Sequence, residues 1–200
     1  MARTDSPYEL PDGLPVPIDD GATDHLTDMM LPSVPLTSTR GSRVDLASLR
    51  GRTVVYCYPR TGQPDVDPPK GWDQIPGARG CTPQSCAFRD SYTELQALAS
   101  EVFGLSTQST DYQVEAVRRL RLPFALLSDS ELILTHALKL PTFEIESMTL
   151  IKRLTLIILD GRIEKVFYPV FPPDKNAAEV IDWLARNPAQ NRGSKRTMRS

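Results

Sequence analysis

The segment "RLTLIILDGRIEKVFYPVFPPDKNAAEVIDWLARN", residues Arg153–Asn187, decides the fold of this chain. Its first half contains two apolar runs on either side of Asp160-Gly161, a dipeptide typical of the two-residue turn in a β-hairpin. Its second half predicts a closing helix with Pro173 or Asp174 near the start. The end of the chain is therefore expected to add an antiparallel hairpin and a helix to a larger domain.

Strands and helices alternate upstream of this segment. "TVVYCY", Thr53–Tyr58, is β-branched and aromatic throughout and predicts a buried strand that Pro59 closes. One long helix is expected from Thr82 to Glu101, with Thr82 as its N-cap and Pro83 at the first helical position. Further strands are expected at 102–107 and 124–129, further helices at 109–122 and 130–140, and two short extended segments around the turn "TRGSR". The alternation predicts an α/β protein with a central mixed sheet flanked by helices, and the closing hairpin and helix are compatible with a thioredoxin-like sheet.

Composition limits the organisation and the partners of the chain. With 200 residues, 40% of them hydrophobic, one domain with its own core is expected. We predict an irregular arm over 1–30, a domain over 31–187 and a basic tail over 188–200. The formal net charge of −2 argues against a nucleic-acid binder, so the basic run at 192–200 is interpreted as a solvated terminus.

Neither a membrane span nor an export signal is expected. No stretch approaches the ~18 consecutive apolar residues that a transmembrane helix needs. Acidic residues and prolines occupy the N-terminus, where a signal peptide would require an apolar run. The sequence therefore predicts a cytoplasmic protein, in which a close pair of cysteines indicates redox or metal chemistry.

Cys81 and Cys86 lie five positions apart at the start of the predicted long helix. The unpaired N–H groups of a helix start carry partial positive charge and favour a thiolate, so Cys81 is a candidate nucleophile. Gly80 is expected to let a small substrate approach the backbone. In an unbroken helix the two Cα atoms would be roughly 8–9 Å apart, too far for a disulfide, so the first turn would have to unwind.

Two other interpretations of the cysteines and histidines are simpler. Cys81 and Cys86 could be ordinary small residues, and Cys57, in the middle of a strand, is expected to be a buried core thiol. His25 and His136 do not stand at a familiar ligand spacing. No metal or other cofactor is therefore predicted.

The stretches "VYCYP" and "GCTPQSCAFRD" resemble the peroxiredoxins, most closely the bacterioferritin comigratory protein (peroxiredoxin Q) group. The resemblance extends from Leu31 to Trp183 and includes "LPFALLSD" and "KRLTLIILDGRI". It implies that Cys81 is the peroxidatic cysteine and Cys86 the resolving cysteine. It also implies that Arg153 flanks the active site, with Thr155 in the same strand motif, and that Pro59 begins the active-site loop.

This family resemblance also implies an activity. Cys81 would reduce hydrogen peroxide or an organic hydroperoxide and become a sulfenic acid, which Cys86 would convert to an intramolecular disulfide. Thioredoxin or a similar dithiol protein would then restore the thiols, in a monomer or homodimer that needs no cofactor. Two alternatives stay open, a redox-sensing or partner-binding domain with little turnover and a protein thiol–disulfide reductase, although the CxxC motif of the latter is absent.

The loop from Arg60 to Gly80 departs from the family pattern. It is longer than the family's usual spacing, and Ala78 and Arg79 stand where a threonine and a proline are expected. Thr61, Thr82 or a backbone group of the loop could replace the missing threonine. Arg79 could supply a donor and a positive charge, or could be a solvated loop residue.

Overall fold

The structure is a computed structural model that describes Tyr8 and residues 10–64, 66–99 and 101–189. Parts of the predicted arm and tail, including the basic run at 192–200, lie outside the described residues. The division of the chain into arm, domain and tail stays a prediction.

A seven-stranded mixed sheet forms the centre of the molecule. The described residues contain nine strands, seven of them in this sheet: β1 Pro35–Ser38, β2 Arg43–Asp45, β3 Arg52–Cys57, β4 Glu101–Ser106, β5 Ala125–Ser128, β6 Thr142–Ile145, β7 Met148–Ile151, β8 Leu154–Leu159 and β9 Arg162–Phe167. The order in the sheet is β2-β1-β5-β4-β3-β8-β9, with β3, β4 and β5 parallel and the other pairs antiparallel. The predicted hairpin is confirmed, and both Asp160 and Gly161 have the positive φ that its turn requires.

Five α-helices accompany the sheet in the described part of the chain: α1 Cys81–Asp90, α2 Tyr92–Leu98, α3 Thr110–Leu120, α4 Ile133–Ala137 and α5 Asn176–Arg186. The single helix predicted from Thr82 to Glu101 is wrong, because the chain leaves helical geometry at Ser91 and Glu101 already belongs to β4. Serine is a poor residue for a helix interior, since its hydroxyl competes for backbone hydrogen bonds. The role of Thr82 as N-cap is also wrong: Gly80 occupies that position at φ +100°, and α1 begins one residue earlier than predicted.

Hydrophobic clusters cover both faces of the sheet. The sequences of its central strands are therefore apolar at nearly every position. Along β3 the side chains alternate between the two faces, as a strand requires. Val54, Tyr56 and Tyr58 join the cluster beneath α1, α2, α3 and α5, whereas Val55 and Cys57 join the opposite cluster with α4. Cys57 is fully buried there, which confirms the prediction of a core thiol. Cys81 belongs to the other face, so the sheet separates it from Cys57.

A second, two-stranded sheet of β6 and β7 was not predicted from the sequence. The strands are joined at Glu146-Ser147, a dipeptide without the glycine or asparagine that marks a hairpin turn, although Glu146 has φ +51°. This hairpin packs against the long loop: Trp72 and Ala78 from the loop form a third buried cluster with Ile145 and Leu150. The insertion is therefore folded onto the domain by its own small core.

Residues from the predicted arm pack along the domain. Leu26 is fully buried, and the backbone of 28–31 pairs with the hairpin at 161–163. Asp20 accepts hydrogen bonds from Lys152 and Tyr168, and these bonds, the Lys152 bond foremost, lower the pKa of Asp20 to about 2. No helix within the described part of the chain is long and apolar enough to cross a membrane.

Close packing explains why a glycine occupies position 80. From the sequence, this glycine was instead expected to leave room for a substrate. A Cβ atom at this position would lie 2.4 Å from Cγ of Pro173 and 2.7 Å from Cδ2 of Leu10. Its positive φ adds a second constraint that favours glycine. The start of α1 is thus fixed between the predicted arm and the turn that precedes α5.

We predict that Gly80→Ala destabilises the protein much more than Gly41→Ala. Gly41 has a similar φ of +81° but open space around its Cβ position, so the two substitutions share the conformational cost. The additional overpacking at Gly80 should lower the free energy of unfolding by about 1–3 kcal/mol. Urea unfolding of both variants measures the difference, and equal destabilisation would show that packing at Gly80 is unimportant.

Candidate active site

Cys81 is the first residue of α1 and is almost completely buried, with 3% of its surface exposed. The helix has no side-chain cap, and its first internal bond runs from the N–H of Gln84 to the carbonyl of Gly80. The N–H groups of the first turn are therefore oriented toward the start of the helix, where they favour negative charge. The position suits a thiolate with little access to solvent.

Arg153 approaches Cys81 directly from the residue that precedes β8. Its Nη2 lies 3.2 Å from Sγ of Cys81, and the same nitrogen donates to the carbonyls of Gly77, Ala78 and Arg79 at 3.1–3.3 Å. Only 3% of Arg153 is exposed. Arg153 is therefore not a surface residue on an edge strand, because β8 lies between β3 and β9 and the guanidinium is buried.

The charge of Arg153 is not neutralised by a carboxylate among the described residues. Its remaining side-chain partner is Oε1 of Gln84, an uncharged amide. A buried cation stabilises a nearby anion strongly, because the low local dielectric weakens the field less than water does. Of the groups that Arg153 contacts, Cys81 alone can acquire a negative charge. Cys81 is therefore the contacting group that could serve as a counter-ion of Arg153.

The other ionisable groups near Cys81 come from β3 and its end. Burial raises the pKa of Tyr56 and of Tyr58 well above the usual value for a phenol. Tyr56 donates its hydroxyl hydrogen bond to Ser85 and stacks on Phe88 at a centroid distance of 4.4 Å. Both phenols stay neutral near pH 7 and do not compete with the thiolate for Arg153.

Cys86 lies on the same helix and is half-buried. Burial raises the pKa of its thiol, an effect that Arg89 partly offsets. Cys81 and Cys86 are both free thiols, and regular helix geometry separates their Cα atoms by roughly 8–9 Å. A bond between them requires the first turns of α1 to open.

The residues proposed to support the site have different positions and partners. Thr61 is fully buried, but its hydroxyl bonds to Gln108 at 3.2 Å. Thr82 is buried in the first turn of α1, and Pro59 is buried two residues after the end of β3. Thr155 donates to Asn176 at 2.7 Å.

The loop residues Ala78 and Arg79 contribute through their backbones. Ala78, in the position expected for a threonine, lies in the apolar cluster around Trp72, and its carbonyl accepts from both Arg153 and the Cys81 thiol. The side chain of Arg79 is buried and pairs with both carboxylate oxygens of Asp73, at 2.7 and 3.0 Å. Arg79 is therefore not a solvated loop residue, and its carbonyl lies against Arg153.

Two buried residues of the site were missed by the sequence analysis. Gln84, one helical turn after Cys81, bonds Arg153, and Asn176, the first residue of α5, bonds Gln84 at 2.9 Å. Gln84 could have been found from its spacing, since residues three apart share a face of a helix. Asn176 has no such local signal, because 92 positions separate it from Gln84.

Fold and site together indicate a thiol redox protein, with a buried cysteine beside an arginine at a helix start. The chain matches the redoxin family over residues 26–181. It is 31% identical over 155 residues to chloroplastic peroxiredoxin Q of Sedum lineare, a match that covers 76% of this chain and 74% of that protein. It is also 31% identical to chloroplastic peroxiredoxin Q of Oryza sativa subsp. japonica, where the match covers 76% of this chain but 64% of the longer relative.

The fold is also shared with a solved structure, that of peroxidoxin BcpB from Mycobacterium tuberculosis. The TM-score is 0.65 at 22% identity, and the match covers 82% of this chain and 98% of that one. The predicted α/β thioredoxin-like fold is thereby confirmed. The chain belongs to the redoxin family, and the relatives that place it there are peroxiredoxins of the Q group.

Proposed function

We propose that this protein is a thiol-dependent peroxidase in which Cys81 is the peroxidatic cysteine and Cys86 the resolving cysteine. The observation that carries the proposal is the 3.2 Å contact between Sγ of Cys81 and the buried guanidinium of Arg153, whose other partners are uncharged. The peroxiredoxin relatives support the same activity.

The first step oxidises Cys81. Its thiolate attacks one oxygen of the peroxide, the O–O bond breaks, and the second oxygen leaves with a proton as water or an alcohol. Cys81 is left as a sulfenic acid. Arg153 is placed to stabilise the thiolate before the reaction and to donate to peroxide oxygen during it. The N–H groups at the start of α1 also favour the thiolate. The phenols of Tyr56 and Tyr58 are neutral near pH 7, so they do not compete with it for Arg153.

The second step joins the two cysteines. The sulfur of Cys86 attacks the sulfenic sulfur of Cys81, the S–O bond breaks, and water leaves as the disulfide forms. A dithiol protein such as thioredoxin then reduces the disulfide by exchange and is itself oxidised. We propose a dithiol reductant because thiol–disulfide exchange is the chemistry that the disulfide requires. We propose that the protein is a monomer or a homodimer.

The burial of Cys81 limits the size of the peroxide that can reach its sulfur. With 3% of the residue exposed, a small peroxide such as hydrogen peroxide can reach Sγ more readily than a bulky one. Organic hydroperoxides with large substituents would need the loop at 60–80 or the first turn of α1 to move. We therefore propose small peroxides as the preferred substrates of the reduced enzyme.

A sensor with little turnover is the second candidate, and Ala78 is the observation in its favour. The side chain at this position lies in an apolar cluster and offers no hydroxyl to a peroxide. A protein thiol–disulfide reductase is less compatible with a buried Cys81 and no CxxC motif. The cytoplasm remains our prediction for location, whereas the names of the plant relatives place those proteins in the chloroplast.

Cysteine variants test the assigned roles. We expect Cys81→Ser to abolish peroxide reduction and Cys86→Ser to consume one equivalent of peroxide and then stop, with a sulfenic acid that dimedone traps. Cys57→Ser is the matched control, because Cys57 lies on the opposite face of the sheet and should be dispensable. The measurement is thioredoxin-coupled peroxide consumption. Full turnover by Cys86→Ser would exclude it as the resolving residue, and a wild type that oxidises once and stalls would favour the sensor.

Oxidation should loosen the start of α1. Forming the disulfide breaks first-turn hydrogen bonds worth about 0.5–1.5 kcal/mol each, whereas so short a loop restricts the unfolded chain little. The contacts of Tyr56 with Ser85 and Phe88 should limit the opening to the residues before Phe88. Amide hydrogen exchange and thermal melts of both redox states measure this. Equal protection across 82–88, with an oxidised form that melts higher, would contradict it.

A further inference from the structure

Arg153 is held by a chain of buried side chains that ends at α5. Its Nη1 donates to Oε1 of Gln84, whose Nε2 donates to Oδ1 of Asn176 at 2.9 Å. The same Oδ1 accepts the hydroxyl of Thr155 at 2.7 Å. Gln84, Asn176 and Thr155 are each 0% exposed, so water does not compete for these bonds.

The direction of every bond in this chain follows from Arg153. A guanidinium can only donate, so Gln84 must present its oxygen to Arg153 and its NH₂ group to Asn176. Asn176 must then present its own oxygen to Gln84. This orientation leaves Nδ2 of Asn176 buried without a hydrogen-bond partner among the described residues. An unsatisfied buried donor is unfavourable, which indicates that the two donors to Oδ1 determine the orientation of the amide.

Asn176 is itself fixed by the backbone around it. It is the first residue of α5 and follows the 3₁₀ turn Pro173–Lys175. Pro173 of that turn packs against Gly80, the residue before Cys81. The start of α5 therefore contacts the site twice, once through Pro173 and once through Asn176.

We propose that Asn176 is a positioning residue for the reaction of Cys81. By accepting from Gln84 and Thr155, it keeps the oxygen of Gln84 turned toward Arg153 and thereby keeps Nη2 of Arg153 on the sulfur. The role rests on the proposed function of Cys81 as the nucleophile. Without the acceptor at position 176, the NH₂ group of Gln84 loses its buried partner, so Gln84 is no longer fixed beside the guanidinium and Arg153 is free to leave the sulfur.

The pH dependence of the alkylation of Cys81 tests whether Arg153 is held on the sulfur. Among the described residues, the charged and titratable groups that face Cys81 are Arg153, Tyr56 and Tyr58. Because the two phenols are neutral near pH 7, displacement of Arg153 is the change that would make the thiolate form at higher pH. A general loss of stability would not move this midpoint.

The test compares Asn176→Ala with Asn176→Asp and with the control Gln113→Ala. Gln113 is also a fully buried amide, but its NH₂ group donates to the hydroxyl of Ser106 and to the carbonyl of Leu127, neither of which is a partner of Arg153. Aspartate retains an acceptor for both Gln84 and Thr155. The measurements are the second-order rate constant of Cys81 with hydrogen peroxide in a single turnover and the pH dependence of its alkylation by iodoacetamide.

We expect Asn176→Ala to slow the peroxide reaction about tenfold, the effect of weakening one charge-assisted hydrogen bond, and to move the alkylation midpoint to higher pH. Asn176→Asp should return the alkylation midpoint most of the way to the wild-type pH. Gln113→Ala should leave the peroxide rate constant and the alkylation midpoint unchanged. If Asn176→Ala does not fold, Gln84→Met is expected to give the same two changes through the neighbouring bond.

The outcomes separate the inference from the function. A wild type that does not react with peroxide would overturn the proposed function, while the alkylation profiles would still test Asn176. A reactive wild type whose rate and midpoint are matched by Asn176→Ala would overturn the inference. Equal midpoints for Asn176→Asp and Asn176→Ala would also overturn it, because the acceptor oxygen would then be irrelevant.

Discussion

The contact between the Arg153 guanidinium and Sγ of Cys81 is the interaction on which the rest of the site depends. A buried arginine usually pairs with a carboxylate, as Arg52 does with Glu164 in this protein. Arg153 instead meets backbone carbonyls, the neutral Gln84 and a thiol. Such an arrangement solvates the guanidinium but leaves its charge available, and Cys81 is the contacting group that can neutralise it.

The long loop is part of this arrangement. The carbonyls at 77, 78 and 79 all face Arg153, which requires the chain before α1 to turn closely around the guanidinium. Trp72 and Ala78 pack the loop onto the β6–β7 hairpin, and Asp73 pairs with Arg79. The position at which the family pattern has a threonine thus contributes apolar packing and a carbonyl. The insertion fixes the backbone of the site and is not a free tether.

The sequence predicted the parts of this protein that local pattern determines. The strand before Pro59, the closing hairpin at Asp160-Gly161 and the place of Cys81 at a helix start each have a signature within a few residues. The break at Ser91 and the start of α1 at Cys81, with Gly80 as its N-cap, were missed because they depend on single backbone conformations. The β6–β7 hairpin and the bond from Gln84 to Asn176 were missed because they depend on tertiary packing between distant segments.

The rate at which Cys81 reacts with hydrogen peroxide, with and without Arg153, tests the central claim most directly. Arg52→Met is the matched control, since Arg52 is equally buried but pairs with Glu164 on another part of the sheet. Single-turnover measurements on Arg153→Met should show a loss of about tenfold to hundredfold, the value of a charge-assisted hydrogen bond, while Arg52→Met should retain the wild-type rate. An Arg153→Met protein that folds and reacts as fast as the wild type would contradict the account.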